Sequence, residues 1–247
     1  MDALKSLLLS YFPFRSPTIP SYRYYPLQKD TAGPSNHNQS RRCIRLIYVE
    51  SVSSDNVTCR MEVVDLDDNP PEYQCLSYTW GNPFGLKQAE RRYTLFCSGG
   101  SIEIRQNLYD ALYHLWETEM TKKELSGIWI DAVCINQADT EERNQQVSMM
   151  TDIYQGARRV IAWLGPEDEH LTLVEETIEL LWEHDRANPG FMERFSNAYT
   201  HEVEEIRRDF GLPEIPIKHW VALYWFFHRV YFTRAWIVQE VGYPPIT

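Results

Sequence analysis

Two short stretches hold acids, amides and aromatics where secondary structure changes. Trp129-Ile130-Asp131-Ala132-Val133-Cys134-Ile135-Asn136-Gln137 carries one acid within an apolar run and ends on an amide pair. Arg234-Ala235-Trp236-Ile237-Val238-Gln239-Glu240 sets Trp236 and Glu240 on one face of a helix. A carboxylate beside an aromatic surface can face a sugar and stabilise oxocarbenium-like charge as a glycosidic bond breaks. Glu240 has a blander reading as an exposed helix-end acid. Asp131 reads equally as a ligand contact or as a loop hydrogen-bonder. Asn136 and Gln137 suit a turn, and Glu142 suits a helix cap. Trp80, Trp163 and Trp236 fit a core as well as a stacking platform. Ser77 has no His and Asp partners in the sequence, so a hydrolase triad is unsupported. Cys134 lies in an apolar setting that raises its thiol pKa.

The elements that must position these groups follow from periodicity. Residues 1 to about 40, rich in Pro, Ser, Tyr and Asn, read as a poorly structured arm. Ile44–Val49 and Val57–Val64 read as a strand pair, joined through polar Ser51–Asn56. Tyr73–Tyr78 is a short strand stopped by Gly81, Asn82 and Pro83. Thr94–Cys97 and Ile102–Ile104 flank Gly99-Gly100 as a hairpin. Leu108, Leu112 and Leu115 predict a helix from about Asn107. Ile128–Ile135 predicts a central parallel strand, apolar on both faces. Asp139, three residues before Glu142, predicts a capping box for a helix bearing Val147, Met150 and Tyr154. Arg159–Leu164 reads as a further buried strand, ended by Gly165-Pro166. This alternation predicts a doubly wound α/β sheet, with ligands beyond the carboxyl ends of its strands. Ser77, Tyr78, Trp80 and Gly81 fall on that edge, as do Asn136, Gln137 and Gly165.

Past Pro166 the pattern turns helical. Val174, Ile178, Leu181 and Trp182 predict a core-facing stripe, and residues 188 to 217 an irregular helical insertion. Trp220–Phe232 is almost continuously apolar and predicts a buried helix. Thr233 is placed to cap a last helix carrying Trp236 and Glu240, with Gly242 as its stop.

The totals narrow the function. A length of 247 residues with 43% apolar content supports a core without staples. Thirty-five acids against 24 bases give a net charge of −11, which argues against nucleic-acid and anionic-membrane partners. The five cysteines lack CxxC spacing and read as reduced, buried residues. The seven histidines never come at ligand spacing, so no metal site is expected. The Leu7-Leu8-Leu9 run is too short for a signal core or a membrane span. The expectation is a soluble, cytoplasmic protein. Neither a dinucleotide G-x-G-x-x-G nor a phosphate-loop motif occurs.

Three ordered motifs resemble the fungal heterokaryon incompatibility (HET) domain. They are Tyr73-Gln74-Cys75-Leu76-Ser77-Tyr78-Thr79-Trp80-Gly81, the run from Trp129 to Gln137, and Arg234 to Val241. Glu142-Arg143, Gln146-Val147, Ile153-Tyr154 and Trp163-Leu164-Gly165 continue the second. The resemblance implies a HET domain over residues 41–247 with a helical insertion at about 167–232. It implies a role in non-self recognition and programmed cell death. The order of elements is also similar to the Toll/interleukin-1 receptor (TIR) fold. That weaker likeness implies a flavodoxin-like, mostly parallel sheet flanked by helices, with an added N-terminal β-hairpin. It further implies NAD as a substrate, with no bound cofactor. Glu240 would then be catalytic and Trp80 or Trp236 a stacking surface. Ser77, Tyr78, Gly81, Asn136 and Gln137 would border the pocket, and Asp131, Glu142 and Arg234 would position its loops. The alternative is a non-enzymatic, self-associating signalling module. Implied partners are a second copy of the chain and an upstream non-self sensor. A nuclease-type effector ranks last, for lack of a metal cluster or a basic tract. The chain stops within a few residues of the last motif, leaving room for a regulatory part beyond it.

Overall fold

The computed structural model describes residues 19–27, 42–87, 89–120, 126–191, 211, 214–235 and 237. Seven strands form one sheet in the order β5-β4-β2-β1-β6-β3-β7. They are β1 (Cys43–Val52), β2 (Asn56–Asp65), β3 (Tyr73–Tyr78), β4 (Arg92–Cys97), β5 (Gly100–Arg105), β6 (Gly127–Trp129) and β7 (Arg159–Trp163). The helices are α1 (Gln106–Met120), α2 (Asp131–Cys134), α3 (Thr140–Ser148), α4 (Met150–Gln155), α5 (Leu171–Ala187) and α6 (Ile217–Phe227). A 3₁₀ turn spans Val230–Thr233.

The sheet is mixed, not mostly parallel. β3 runs parallel to β6 and β7, and β2 to β4, whereas β1 is antiparallel to both β2 and β6 and β4 to β5. The first hairpin is therefore not an appendage. β1 and β2 are ten residues each and occupy the middle of the sheet, bridging the β6-β3-β7 unit to the β4–β5 hairpin. The first five residues of β1 are all buried, as suits a strand inside a sheet, and which neighbours lie along its two edges is not revealed by a local pattern.

Three further expectations need correction. β6 stops at Trp129, and Asp131–Cys134 is a turn of helix, so Asp131 opens a helix and does not sit inside a strand. Val133, Cys134 and Ile135 are fully buried in that turn, which gives the same apolar run as a buried strand. The strand flanked by parallel neighbours on both sides is β3, whose six residues are all buried. β7 is an edge strand and only partly buried.

The core lies between the sheet and α1 to α4. Leu108, Leu112 and Leu115 of α1 enter it as their spacing predicts, and Tyr109 stacks on Tyr93 of β4 at 3.8 Å between centroids. Residues 19–27 of the N-terminal segment pack on this core. The Tyr22 N–H donates to the Ser101 carbonyl and the Ser101 N–H to the Pro20 carbonyl, Leu27 is buried, and the Tyr24 hydroxyl donates to the Val133 carbonyl at 2.8 Å. All five cysteines are buried thiols outside any disulfide.

α5 and α6 pack on one another, and Leu181, Phe191 and Ile215 form a smaller cluster there. Val174 and Leu181 face inward, but Ile178 and Trp182 do not; Trp182 is 61% exposed. Nor is the 220–232 stretch a buried helix. Val221, Tyr224, Trp225 and Phe227 are exposed on α6. Thr233 donates back to the Val230 carbonyl at 2.8 Å. Trp236, Glu240 and the final helix expected around them lie outside the described residues, as does most of the 188–217 insertion. Among the described residues, no helix is long and apolar enough to cross a membrane.

Candidate functional site

Because β6, β3 and β7 run parallel, their carboxyl ends share one edge, and the loops beyond them converge. A cavity of about 660 Å³ opens there, within the range of small-molecule sites. Its walls come from four places. Thr79, Trp80 and Gly81 follow β3, and Asn82, Gly85, Leu86 and Glu90 continue that loop. Asp131, Ile135 and Gln137 follow β6, and Arg143, Val147 and Met150 come from α3 and α4. Val230 and Arg234 come from the segment after α6.

A chain of hydrogen bonds fixes one wall. Both carboxylate oxygens of Asp131 accept from Trp80 Nε1 at 3.0 Å, and Oδ1 also accepts from the Ala132 N–H at 2.7 Å. Trp80, 44% exposed, is thus held largely by its indole N–H. Gln137 Nε2 donates to the Asp131 carbonyl at 2.8 Å, and Arg143 donates to the Gln137 carbonyl at 3.3 Å. Asp131 is therefore a positioning group that leaves the tryptophan ring facing outward.

Behind this wall sits a buried ion pair. Arg45, 1% exposed, meets the Glu142 carboxylate with both guanidinium nitrogens, at 2.5 and 2.9 Å. The same guanidinium donates to the carbonyls of Cys134 and Tyr25. Glu142 also accepts the Asn136 N–H at 2.6 Å. The capping box is thus half formed. Asp139 accepts from the N–H groups of Glu141 and Glu142, but the Asp139 N–H donates to the Asn136 carbonyl at 3.0 Å, and the Glu142 side chain turns to the Arg45 guanidinium and the Asn136 N–H.

The far wall depends on the segment before Arg234. The hydroxyls of Ser77 and Tyr231 lie 2.8 Å apart, and the Val230 N–H donates to Pro83 at 3.0 Å. Arg229 bonds Asp168 at 2.7 Å and lies over the Phe84 ring at 5.1 Å. Gly165 has φ +111°, and a Cβ there would lie 2.8 Å from Pro83, so the end of β7 presses on the loop that carries Gly85 and Leu86.

Of the residues singled out in the sequence, Trp80, Gly81, Gln137, Asp131 and Arg234 meet at the cavity. Ser77 and Tyr78 are buried beneath it. Burial holds the Tyr78 phenol well above its usual range, with Asp131 adding to the shift and Arg234 and Arg105 opposing it. Asn136 stands behind the cavity, its side chain accepting from the Ala138 N–H at 3.3 Å. Burial also pushes the Cys134 thiol up to about 12.

Thr79, Glu90 and Arg143 line the cavity without having been singled out. Thr79 and Arg143 stand inside recognisable motifs beside more conspicuous neighbours, whereas Glu90 sits in an aperiodic loop that gives no signal. Glu90 is held by Arg105 at 3.3 Å. The Thr79 hydroxyl has no hydrogen-bond partner among the described residues, and its oxygen is out of reach of solvent, a situation that costs about 1–3 kcal/mol. The cavity thus offers one indole, two arginines and two carboxylates that are already engaged. Among the described residues, no group of three or more His, Cys, Asp or Glu could hold a metal ion.

Residues 73–240 match the family model described as "Heterokaryon incompatibility protein (HET)". The chain is 34% identical over 239 residues to "Heterokaryon incompatibility protein 6, OR allele" of Neurospora crassa, covering 84% of this chain. It spans only 32% of that relative's length. No solved structure matches it. The match takes in the loops after β3 and β6, α3, α4 and Arg234, which together wall the cavity, and the chain belongs to the heterokaryon incompatibility (HET) family.

Proposed function

We propose that this chain is the effector part of a fungal non-self recognition protein, and that it triggers cell death by cleaving NAD in the cavity beyond β3 and β6. The observation that carries this reading is the cavity itself, where an outward-facing indole and two arginines converge at the carboxyl ends of parallel strands. An indole suits a planar base, and guanidinium groups suit a diphosphate. The β6-β3-β7 order is also compatible with a TIR-like arrangement of the parallel unit, set within a larger mixed sheet. In this reading the Glu240 carboxylate faces the ribose. The bond between nicotinamide nitrogen and C1′ breaks, positive charge builds on the sugar, and water adds at C1′ with loss of a proton. Nicotinamide and ADP-ribose leave. The site is cytoplasmic, and assembly of several copies or an upstream sensor switches it on. Released nicotinamide is measured with purified protein, as monomer and after forced assembly. No turnover in either state, or full turnover in Glu240→Ala, refutes cleavage.

A second reading, a non-enzymatic module that kills by self-association, is favoured by one observation. Trp225 is 59% exposed, with Tyr224, Val221 and Phe227 beside it on α6. It predicts that killing survives Glu240→Ala and is lost in Trp225→Glu, with self-association read by sedimentation.

A further inference from the structure

β2 and β4 run parallel, with Cys59 directly opposite Cys97. Facing residues of neighbouring strands point to one side of the sheet, so the two thiols lie together, and they share a hydrogen bond. Strands in a sheet stand about 4.8 Å apart, inside the Cα separations of about 4.4–6.8 Å that disulfides span. The remaining cysteines are not placed in this way. Cys43 stands opposite Asp65, Cys75 opposite Trp129 and Val160, and Cys134 lies in α2.

A second cavity, of about 420 Å³, opens at this end of the strands. Cys59 and Cys97 line it together with Glu50, Arg60, Ser98 and Gly100. The thiols are 2% and 1% exposed, so a reagent that reaches them must be about as small as water, which takes up about 30 Å³. The N-terminal segment crosses beside them. Tyr22 bonds Ser101, and a Cβ on Gly100 would lie 2.5 Å from the Tyr22 Cα. Burial raises the Tyr22 phenol, with Cys97 and Cys59 adding to the shift and Arg45 opposing it. The pair is also unequal. The hydrogen bond from Cys59 holds the Cys97 thiol below its usual range, with Ser98 helping and burial opposing. The same bond, with burial, pushes the Cys59 thiol up. Cys97 is thus the first to become the thiolate, the form that attacks an oxidant.

We propose that Cys59 and Cys97 form an oxidisable dithiol site, whose reagent is hydrogen peroxide and whose product is a disulfide joining β2 to β4. The Cys97 sulfur attacks one peroxide oxygen and the O–O bond breaks. The departing hydroxide takes the Cys97 proton and leaves as water, and Cys97 becomes a sulfenic acid. The Cys59 sulfur then attacks the Cys97 sulfur, the S–O bond breaks, and a second water leaves with the Cys59 proton. The two thiols lose two electrons and the peroxide gains them. The link closes residues 60–96 into a loop that carries β3 and the cavity wall from Thr79 to Glu90. Oxidation constrains the frame of that wall from outside the cavity, and the site stands whether or not NAD is cleaved there.

The full chain, purified reduced, is treated with hydrogen peroxide, alkylated in denaturant and digested without reductant. A peptide joining Cys59 to Cys97 is expected, with the other three cysteines alkylated. The melting temperature rises by about 5–10 °C, and dithiothreitol reverses both changes. Cys59→Ala and Cys97→Ala each lose the link and the rise, whereas Cys134→Ala keeps them. The wild-type peptide map decides the question even where a variant fails to fold. Peroxide that leaves both cysteines alkylated, that takes Cys97 to the sulfinic acid with Cys59 still alkylated, or that links the two only in urea overturns the site.

Discussion

Removing the Glu142 carboxylate should be among the most damaging single changes to the described site. Glu142→Ala leaves the Arg45 guanidinium buried with no counter-charge, facing the Cys134 and Tyr25 carbonyls and the Tyr24 ring, and strands the Asn136 N–H that the carboxylate accepts at 2.6 Å. Arg45 is 1% exposed and the Glu142 side chain 11%, so water cannot take over. Breaking a buried pair from one side costs about 3–5 kcal/mol, a large share of the roughly 5–15 kcal/mol that holds a domain together. Glu142→Gln keeps an acceptor but not the charge and falls at the lower end. At about 2–4 °C per kcal/mol for a chain of this size, Glu142→Ala lowers the melting temperature by roughly 6–20 °C. Urea unfolding followed by circular dichroism reads the free energy. Arg45→Met combined with Glu142→Leu fills the same space without a charge to desolvate, and recovers most of the loss. The solvent-facing Arg42–Asp67 pair serves as a control, and Asp67→Asn should be indistinguishable from wild type. A Glu142→Ala loss below about 1 kcal/mol, or a double variant as unstable as the two single losses added, refutes the argument that burial gives this pair its weight.

Three other outcomes follow from single contacts. Gly165→Ala forces a side chain into a left-handed φ of +111° and against Pro83, so it destabilises by about 2 kcal/mol or more and weakens ligand binding through the displaced loop; an unchanged urea midpoint contradicts this. Asp131→Ala frees the Trp80 indole at a stability loss of about 1 kcal/mol, and fluorine NMR of fluorotryptophan-labelled protein shows the Trp80 resonance shift and sharpen, while Asp131→Asn keeps part of the restraint. Asp110 on α1 has its carboxyl raised above 3.8 by desolvation, with a hydrogen bond from Gln106 opposing. The stability such a group contributes is complete below 3.8 and lost as pH rises through the raised folded value, so Asp110→Asn is more stable than wild type at pH 7 and the gap closes toward pH 4. A variant less stable at neutral pH reverses that sign.

What the sequence conveyed about the site was polarity at the ends of elements; what it withheld was partnership. Leu108, Leu112 and Leu115 were legible because a helix face is a local fact, repeated every three or four residues. Gly99-Gly100 was legible for the same reason, since a hairpin is fixed by its turn. Asp131 stood out as an acid in an apolar run, but its role depends on Trp80, 51 positions earlier. Glu142 looked like a cap because its nearest candidates were local, whereas its ion partner Arg45 is 97 positions away. The placing of β1 and β2 in mid-sheet has the same origin. It is decided by pairings such as Val57 with Leu95 and Ile47 with Ile128, which no window of ten residues contains.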